Sequence, residues 1–240
     1  MQFNYKDVNR SKLLNILRYH DPVYLLRRMW YRLVLRQFII SKKQRNFRIG
    51  EVEYSYFYNS YNTTFLNERA VEIPYFRKQI YSVLQAGGLV LEIGNVLSHY
   101  ERSTWDIVDK YEKGKGVVNV DIEDYKPKEL YDCIFAISTF EHIGFDEVPK
   151  DTDKVLSIIL SVRQRLMKPG GRLIFSIPTG YNPWIEDHIR SGRIAGNRVI
   201  YMKRIDWKNN WVETDRQEEV LDLPYDFFAT GLVIIEQVKL

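Results

Sequence analysis

The chain has 240 residues, 45% apolar and 28% charged, the balance of one globular domain plus an extension rather than of a disordered chain. Its single cysteine, Cys133, sits inside an apolar run, so one chain has no disulfide framework and no paired-cysteine metal site, and a reducing cytoplasmic setting is expected. The net charge of +4 hides an asymmetry: residues 1–50 carry 12 Lys or Arg against two Asp, giving +10 and leaving −6 for the remainder.

No apolar run approaches the roughly 18 residues of a spanning helix, and the N-terminus has no signal-peptide core, so neither membrane spanning nor secretion is expected. Asp21 and Pro22 have the chemistry of a helix start, aspartate capping free amides and proline fitting the first turn. From there to Ile40, Val23, Leu26, Trp30, Leu33 and Val34 fall on one side, and Arg28, Arg32 and Arg36 on another. Such a basic amphipathic helix reads either as a helix docked on the main domain or as a contact with an anionic membrane surface or a partner over residues 21–40. Nucleic acid is the weakest of these partners, because the basic patch does not continue along the chain. The predicted division is a basic helical extension over 1–50 and an α/β domain over 51–240.

Residues 51–62 concentrate Tyr54, Tyr56, Phe57, Tyr58 and Tyr61, which suits a strand or an ordered loop. Asn62, Thr63 and Thr64 are the expected cap of a helix that runs through Glu68, Val71 and Ile73, past Pro74 to Leu84, and ends at Gly87 and Gly88. An apolar strand at 89–95 then closes on Glu92, Gly94 and Asn95. Runs at 106–109 and 117–121 close on aspartates, 131–138 ends at a polar turn, and 172–177 follows Lys168-Pro169-Gly170-Gly171. The linker from Lys110 to Gly116 is too short for a helical crossover, so the helix there is expected to shrink to a turn. A helix is predicted over 153–167, a hairpin from 198–205 and 211–214, and a last strand over 232–238. Buried strands that repeatedly deliver polar groups at their carboxyl ends build the ligand crevice of an open parallel sheet, with a nucleotide-like small molecule as the expected ligand.

The succession LEIGN (91–95), VDKYE (108–112), VDIEDY (120–125), YDCIFAISTFEHIG (131–144) and LMKPGGRLIFSIP (166–178) resembles the motif series of class I S-adenosylmethionine-dependent methyltransferases. Within that family it resembles a bacterial and archaeal subgroup often associated with cell-surface glycan synthesis, over roughly residues 80–240. The resemblance implies an α/β fold: a Rossmann-like, mostly parallel seven-stranded sheet with helices on both faces, a C-terminal antiparallel hairpin and S-adenosylmethionine as cofactor. It implies that Glu92 organises the glycine loop and the cofactor's amino end, and that Gly94 lets the chain approach the ligand. The usual run of three glycines is reduced here to Gly94 followed by Asn95, so a tight structural turn is the alternative. Asp109 is implied to accept from both ribose hydroxyls, the alternative being a surface acid paired with Lys110 or Lys113. Asp121 is implied to accept from the adenine amino group while Ile122 packs on the ring, the alternative being an acidic turn with Glu123 and Asp124.

Ser138, at the fourth strand's end, joins the cofactor-binding set, and Ser138 with Glu141 also has the spacing of a capping box. His142 follows at the edge where the family delivers its methyl group, and it is the candidate general base, against a structural histidine. His99 and His188 are weaker candidates, and the loop at 177–184 supplies aromatics that suit the wall of an acceptor pocket. There is no Ser-His-Asp order, P-loop lysine or paired-histidine metal spacing, so no metal is expected and the chemistry must come from the cofactor. The favoured reading is a methyltransferase acting on an oxygen or nitrogen of a small or saccharide acceptor, cytoplasmic or peripheral at the inner membrane face. The alternatives are a catalytically silent binding or scaffold module in surface-glycan assembly and, third, an RNA methyltransferase.

Overall fold

The structure, a computed structural model, describes residues 45–226 and 228–240. The basic stretch at 21–40, with the membrane contact expected of it, lies outside the described residues.

Strands β1 (Asn46–Ile49) and β2 (Val52–Ser55) form an antiparallel hairpin. Phe47 and Ile49 are buried in the same apolar cluster as Tyr54 and Tyr56. The boundary expected after residue 50 therefore falls in a hairpin turn, and residues 46–50 fold with the α/β domain. The expected cap at Asn62–Thr64 is also corrected. Asn62 and Thr63 sit at φ 50° and 48° in a 3-10 turn, Tyr61–Leu66, and it is Asn67 Oδ1 that accepts from the Arg69 amide, at 3.2 Å. Helix α1 (Arg69–Gln85) then runs through Pro74. Proline there leaves the Ala70 carbonyl without its helical donor, and the Phe57 amide fills the vacancy at 3.0 Å, tying the segment after β2 to the helix.

The main sheet holds β3 (Val90–Ile93), β4 (Asp106–Val108), β5 (Val117–Val118), β6 (Tyr131–Ile137), β7 (Met167–Pro178), β8 (Arg198–Arg204), β9 (Trp211–Thr214) and β10 (Gly231–Val238) in the order β5-β4-β3-β6-β7-β10-β8-β9. The first five are mutually parallel, while β10 runs antiparallel to both β7 and β8, and β9 antiparallel to β8. This is the Rossmann-like α/β fold expected from sequence. It has eight strands because the second arm of the expected hairpin joins the sheet edge. The link between β4 and β5 is a turn with no helix, bound together by Asn119, whose amide nitrogen donates to the carbonyls of Asp109 and Lys110.

Alternation along the strands loads both faces. Leu91, Ile134, Ala136, Phe175 and Val233 pack with residues of α2 (Lys154–Leu166), α3 (Pro183–Arg190) and α4 (Glu218–Leu221). Val90, Cys133, Phe135, Ile174 and Ile234 pack with α1 and the β1–β2 hairpin. Cys133 is fully buried, and burial pushes its thiol up to about 12, so it is core as expected. Sequence reading passed over α3, although its start is conventional: Asn182 Oδ1 accepts from the Trp184 amide at 2.9 Å, and Pro183 opens the helix. The strand order reverses between β3 and β6, and chain connections diverge there, leaving a crevice at the carboxyl ends.

Candidate functional site

A cavity of about 500 Å³ opens at this crevice, within the range of small-molecule sites. It is lined by residues leaving four parallel strands: Gly94 and Asn95 after β3, Asp109 after β4, Asp121 and Ile122 after β5, and Ser138 and His142 after β6. The structure thus brings together Gly94, Asn95, Asp109, Asp121, Ile122, Ser138 and His142, while Glu92 stands behind the wall and the weaker candidates His99 and His188 are outside the lining.

Glu92 braces the loop. Its Oε1 accepts from the Val96 and Leu97 amides at 2.8 Å each, and Oε2 from the Trp105 indole at 2.9 Å. Burial nevertheless outweighs these donors and pushes the carboxyl up to about 7. Gly94 takes φ 84°, a left-handed conformation that favours glycine. A Cβ on it would crowd Thr139, with the Thr139 methyl only 2.9 Å away, so the glycine is required by protein packing as well as facing the cavity. Asn95 is buried and accepts from the Ser98 hydroxyl.

Asp109 does not pair with a lysine. Its Oδ1 accepts from the Tyr111 and Glu112 amides at 2.8 and 2.6 Å, and Oδ2 from the Asn95 amide at 3.0 Å. One lone pair on Oδ2 is left for a ligand, so a single further hydrogen bond is available where the resemblance implied two. Lys110 turns instead to Asp121, at 2.9 Å, and to Glu147, at 3.0 Å. Burial would raise the Asp121 pKa, but the Lys110 contact holds it below the usual range. Ile122 is buried in the core and turns toward the cavity beside Val108 and Ile143, an apolar slot for a flat ring.

No capping box forms at Ser138. It sits at φ 40°, and the helical turn Phe140–His142 has no side-chain cap. The Ser138 hydroxyl instead donates to Glu72 Oε1 at 2.7 Å, which also receives the Ser176 hydroxyl at 2.6 Å. Glu72 Oε2 pairs with Arg69 at 2.5 Å. Glu141, expected as the capping partner, is fully buried with Oε2 unpartnered, and burial raises its pKa well above the usual carboxylate range. Glu68 is likewise buried with Oε2 unpartnered, and burial and the neighbouring Glu72 raise its pKa. Burial works against the Arg69 charge, but Glu72 and Glu68 more than reverse this and hold the guanidinium protonated. This Glu68–Arg69–Glu72–Glu141 group was missed in the sequence. Acidic and basic residues three and four apart in a helix normally mark a solvated face, and only the raised apolar content of the flanking residues hinted at burial.

His142 stays half-exposed at the cavity edge, with Nδ1 2.6 Å from Asp146 Oδ2, which also accepts from the Tyr181 hydroxyl at 2.7 Å. A carboxylate only accepts, so this contact puts a proton on Nδ1 and leaves Nε2 as the basic nitrogen. Burial raises the Asp146 pKa while Tyr181 and His142 lower it, with a net shift down. The Tyr181 ring packs edge-on to His142, Phe145 and Tyr225, so the loop after β7 sets one aromatic beside His142, while none of residues 177–184 lines the cavity itself. His99 and His188 lie elsewhere: His99 pairs with Glu112 at 2.7 Å, and His188 is buried with Nε2 2.8 Å from the Thr152 carbonyl oxygen. Among the described residues no cluster of His, Cys, Asp and Glu has the form of a metal site, and no helix is long and apolar enough to cross a membrane.

No protein-family model matches the chain, and no curated protein matches it. Solved structures do. The chain is similar to the N-methyltransferase NodS from Bradyrhizobium japonicum WM9 in complex with S-adenosyl-L-homocysteine, at 13% identity over 72% of this chain and 93% of that one, TM-score 0.42. It is also similar to magnesium protoporphyrin IX methyltransferase from Synechocystis PCC 6803 with bound S-adenosylmethionine, at 11% identity over 92% and 99% of the two chains, TM-score 0.41. A third similarity is to an S-adenosylmethionine-dependent methyltransferase from Thermotoga maritima, at 16% identity over 68% and 90%, TM-score 0.40.

Proposed function

We propose that the chain is an S-adenosylmethionine-dependent methyltransferase whose donor occupies the strand-end cavity and whose acceptor presents an oxygen or nitrogen at the edge formed by Ser138 and His142. The observation that carries this reading is the convergence of Gly94, Asp109, Asp121, Ile122 and Ser138, from the ends of four strands, on one cavity at the sheet's switch point. The residues fit such a donor. The slot beside Ile122 suits a purine, Asp121 accepts an exocyclic amine next to it, and the open lone pair of Asp109 accepts one ribose hydroxyl.

Bound there, S-adenosylmethionine supplies a methyl group already activated on a sulfonium, so the chain has to align the acceptor and receive a proton. His142 Nε2 is the group placed for the proton, with Asp146 fixing its tautomer and orientation. The aromatic content of the loop after β7, Tyr181 and Trp184, supports a saccharide or other small ring as acceptor, in line with the resemblance to glycan-associated enzymes. The +10 charge of residues 1–50 supports a peripheral position at the inner membrane face. One observation favours a second reading, a catalytically silent binding module: the loop keeps a single glycine, and Lys110 already occupies Asp121. Calorimetric titration of the full chain with S-adenosylmethionine and S-adenosylhomocysteine tests both. Binding with methyl transfer supports the enzyme, binding without transfer to any acceptor supports the silent module, and no binding removes the methyltransferase reading.

A further inference from the structure

The buried group beside the cavity is unbalanced. Glu72 is satisfied by Ser138, Ser176 and Arg69, so Arg69 and Glu72 form a neutral pair. Glu68 and Glu141 remain, each buried, each with an Oε2 that has no hydrogen-bond partner, and the Arg69 charge acts on both. A buried carboxyl oxygen without a donor is costly, and one that a fold keeps calls for a group that completes it, a water, an ion or a ligand. The group borders the cavity at two points: Ser138, which lines it, bonds Glu72 at 2.7 Å, and His142, which also lines it, has Nε2 3.8 Å from Glu141 Oε1. The Tyr225 hydroxyl feels the charges of both Glu68 and Glu141, and its ring lies 5.6 Å from that of Tyr181.

Resting on the methyl-transfer reading, we infer that Glu68 and Glu141 hold the ammonium end of a basic amine, and that the methyl-accepting atom is therefore a nitrogen. A hydroxyl brings one donor and no charge. An ammonium brings three donors and a positive charge, which together draw two carboxyls that burial pushes toward the neutral form back to the ionised one. In the transfer, the ammonium gives one proton to His142 Nε2, and the freed nitrogen lone pair forms the N–C bond to the donor's methyl carbon. The C–S bond breaks with its electron pair left on sulfur. The product is a methylammonium and a neutral thioether, and the positive charge passes from sulfur to nitrogen.

The test is calorimetric titration of the S-adenosylhomocysteine-loaded full chain with primary alkyl- and arylalkylamines and with alcohols of equal shape. The expected result is amine binding at least roughly tenfold tighter than alcohol binding, lost in Glu68→Gln and Glu141→Gln while S-adenosylhomocysteine affinity stays within about twofold. Thermal denaturation identifies a variant that fails to fold, and Glu68→Asp then carries the same comparison. Equal binding of amine and alcohol, no amine binding, or a preference kept in the variants would overturn the inference. So would a folded Glu68→Gln variant that loses S-adenosylhomocysteine, which would assign these carboxylates to the amino group of the donor. Failure of the wild type to bind S-adenosylhomocysteine would remove the methyl-transfer reading beneath it, a result distinct from loss of amine preference alone.

Discussion

Thr139 closes the space beside Gly94: its methyl lies 2.9 Å from the position of a Cβ on that glycine, and the glycine itself holds φ 84°. The sharp exit from β3 and the first residues after β6 are therefore one packed unit, and the cavity floor depends on both. Gly94→Ala should cost about 1–3 kcal/mol of stability through strain and crowding, together with ligand affinity. Adding Thr139→Ala should restore part of the stability, since the crowding atoms go while the backbone strain remains. Chemical denaturation of the single and double variants checks this, and equal stability of the two would mean that the contact does not matter.

Asp109 holds three backbone amides, from Asn95, Tyr111 and Glu112. Removing the carboxylate should therefore weaken the cofactor by about 1.5–3 kcal/mol and also loosen the turn, because hydrogen bonds to a charged group are lost at both. Asp109→Ala should show faster amide exchange at Tyr111 and Glu112 even without ligand. Unchanged exchange there would mean that the turn does not depend on Asp109.

Glu92 and Glu186 are both pushed up to about 7 from an unfolded value near 4.5, in each case with burial as the first cause. The folded chain then holds protons that the unfolded chain has released, so stability is greatest at acid pH and falls as pH rises between the two values, levelling above about 7. The melting temperature should drop from about pH 5 to about pH 8 in low salt. Glu186→Gln keeps an acceptor for the Gly180 amide, 2.8 Å away, and should flatten part of the slope. A melting temperature that rises over that window would contradict the assignment.

His142 and Asp146 can be separated from a merely structural pair by kinetics. His142→Ala should lower kcat by about 10² to 10⁴, as for a lost general base, with little change in cofactor affinity. Asp146→Asn should lower kcat less and alter the pH profile, since the amide no longer dictates which imidazole nitrogen carries the proton. A variant at either position with normal kcat would leave catalysis to alignment alone.

Apolar runs that end on polar residues made β3, β4, β6, β7 and β10 legible, because buried parallel strands are nearly continuous in Val, Ile, Leu and Phe. The short link after Asp109 likewise forecast the missing crossover helix. Misreadings arose where a local pattern competes with tertiary contacts. Ser138 and Glu141 match a capping box by spacing, yet Ser138 is drawn to Glu72, which is 66 residues away in sequence. Asn46–Ile49 carries too few apolar residues to announce a strand, and only its pairing with Val52–Ser55 makes it one. Glu68, Arg69 and Glu72 look like a solvated helix face until the packing of Ser138, Ser176 and Glu141 around them is known.

Amide hydrogen exchange of the full chain with and without S-adenosylhomocysteine tests the central claim most directly, because it reports both binding and place. Slowed exchange is expected at residues 94–98, 109–112 and 138–143, the segments that leave β3, β4 and β6, with no change at β8 and β9, at the far end of the sheet. Protection absent from all three loops, or confined to β8 and β9, would contradict it.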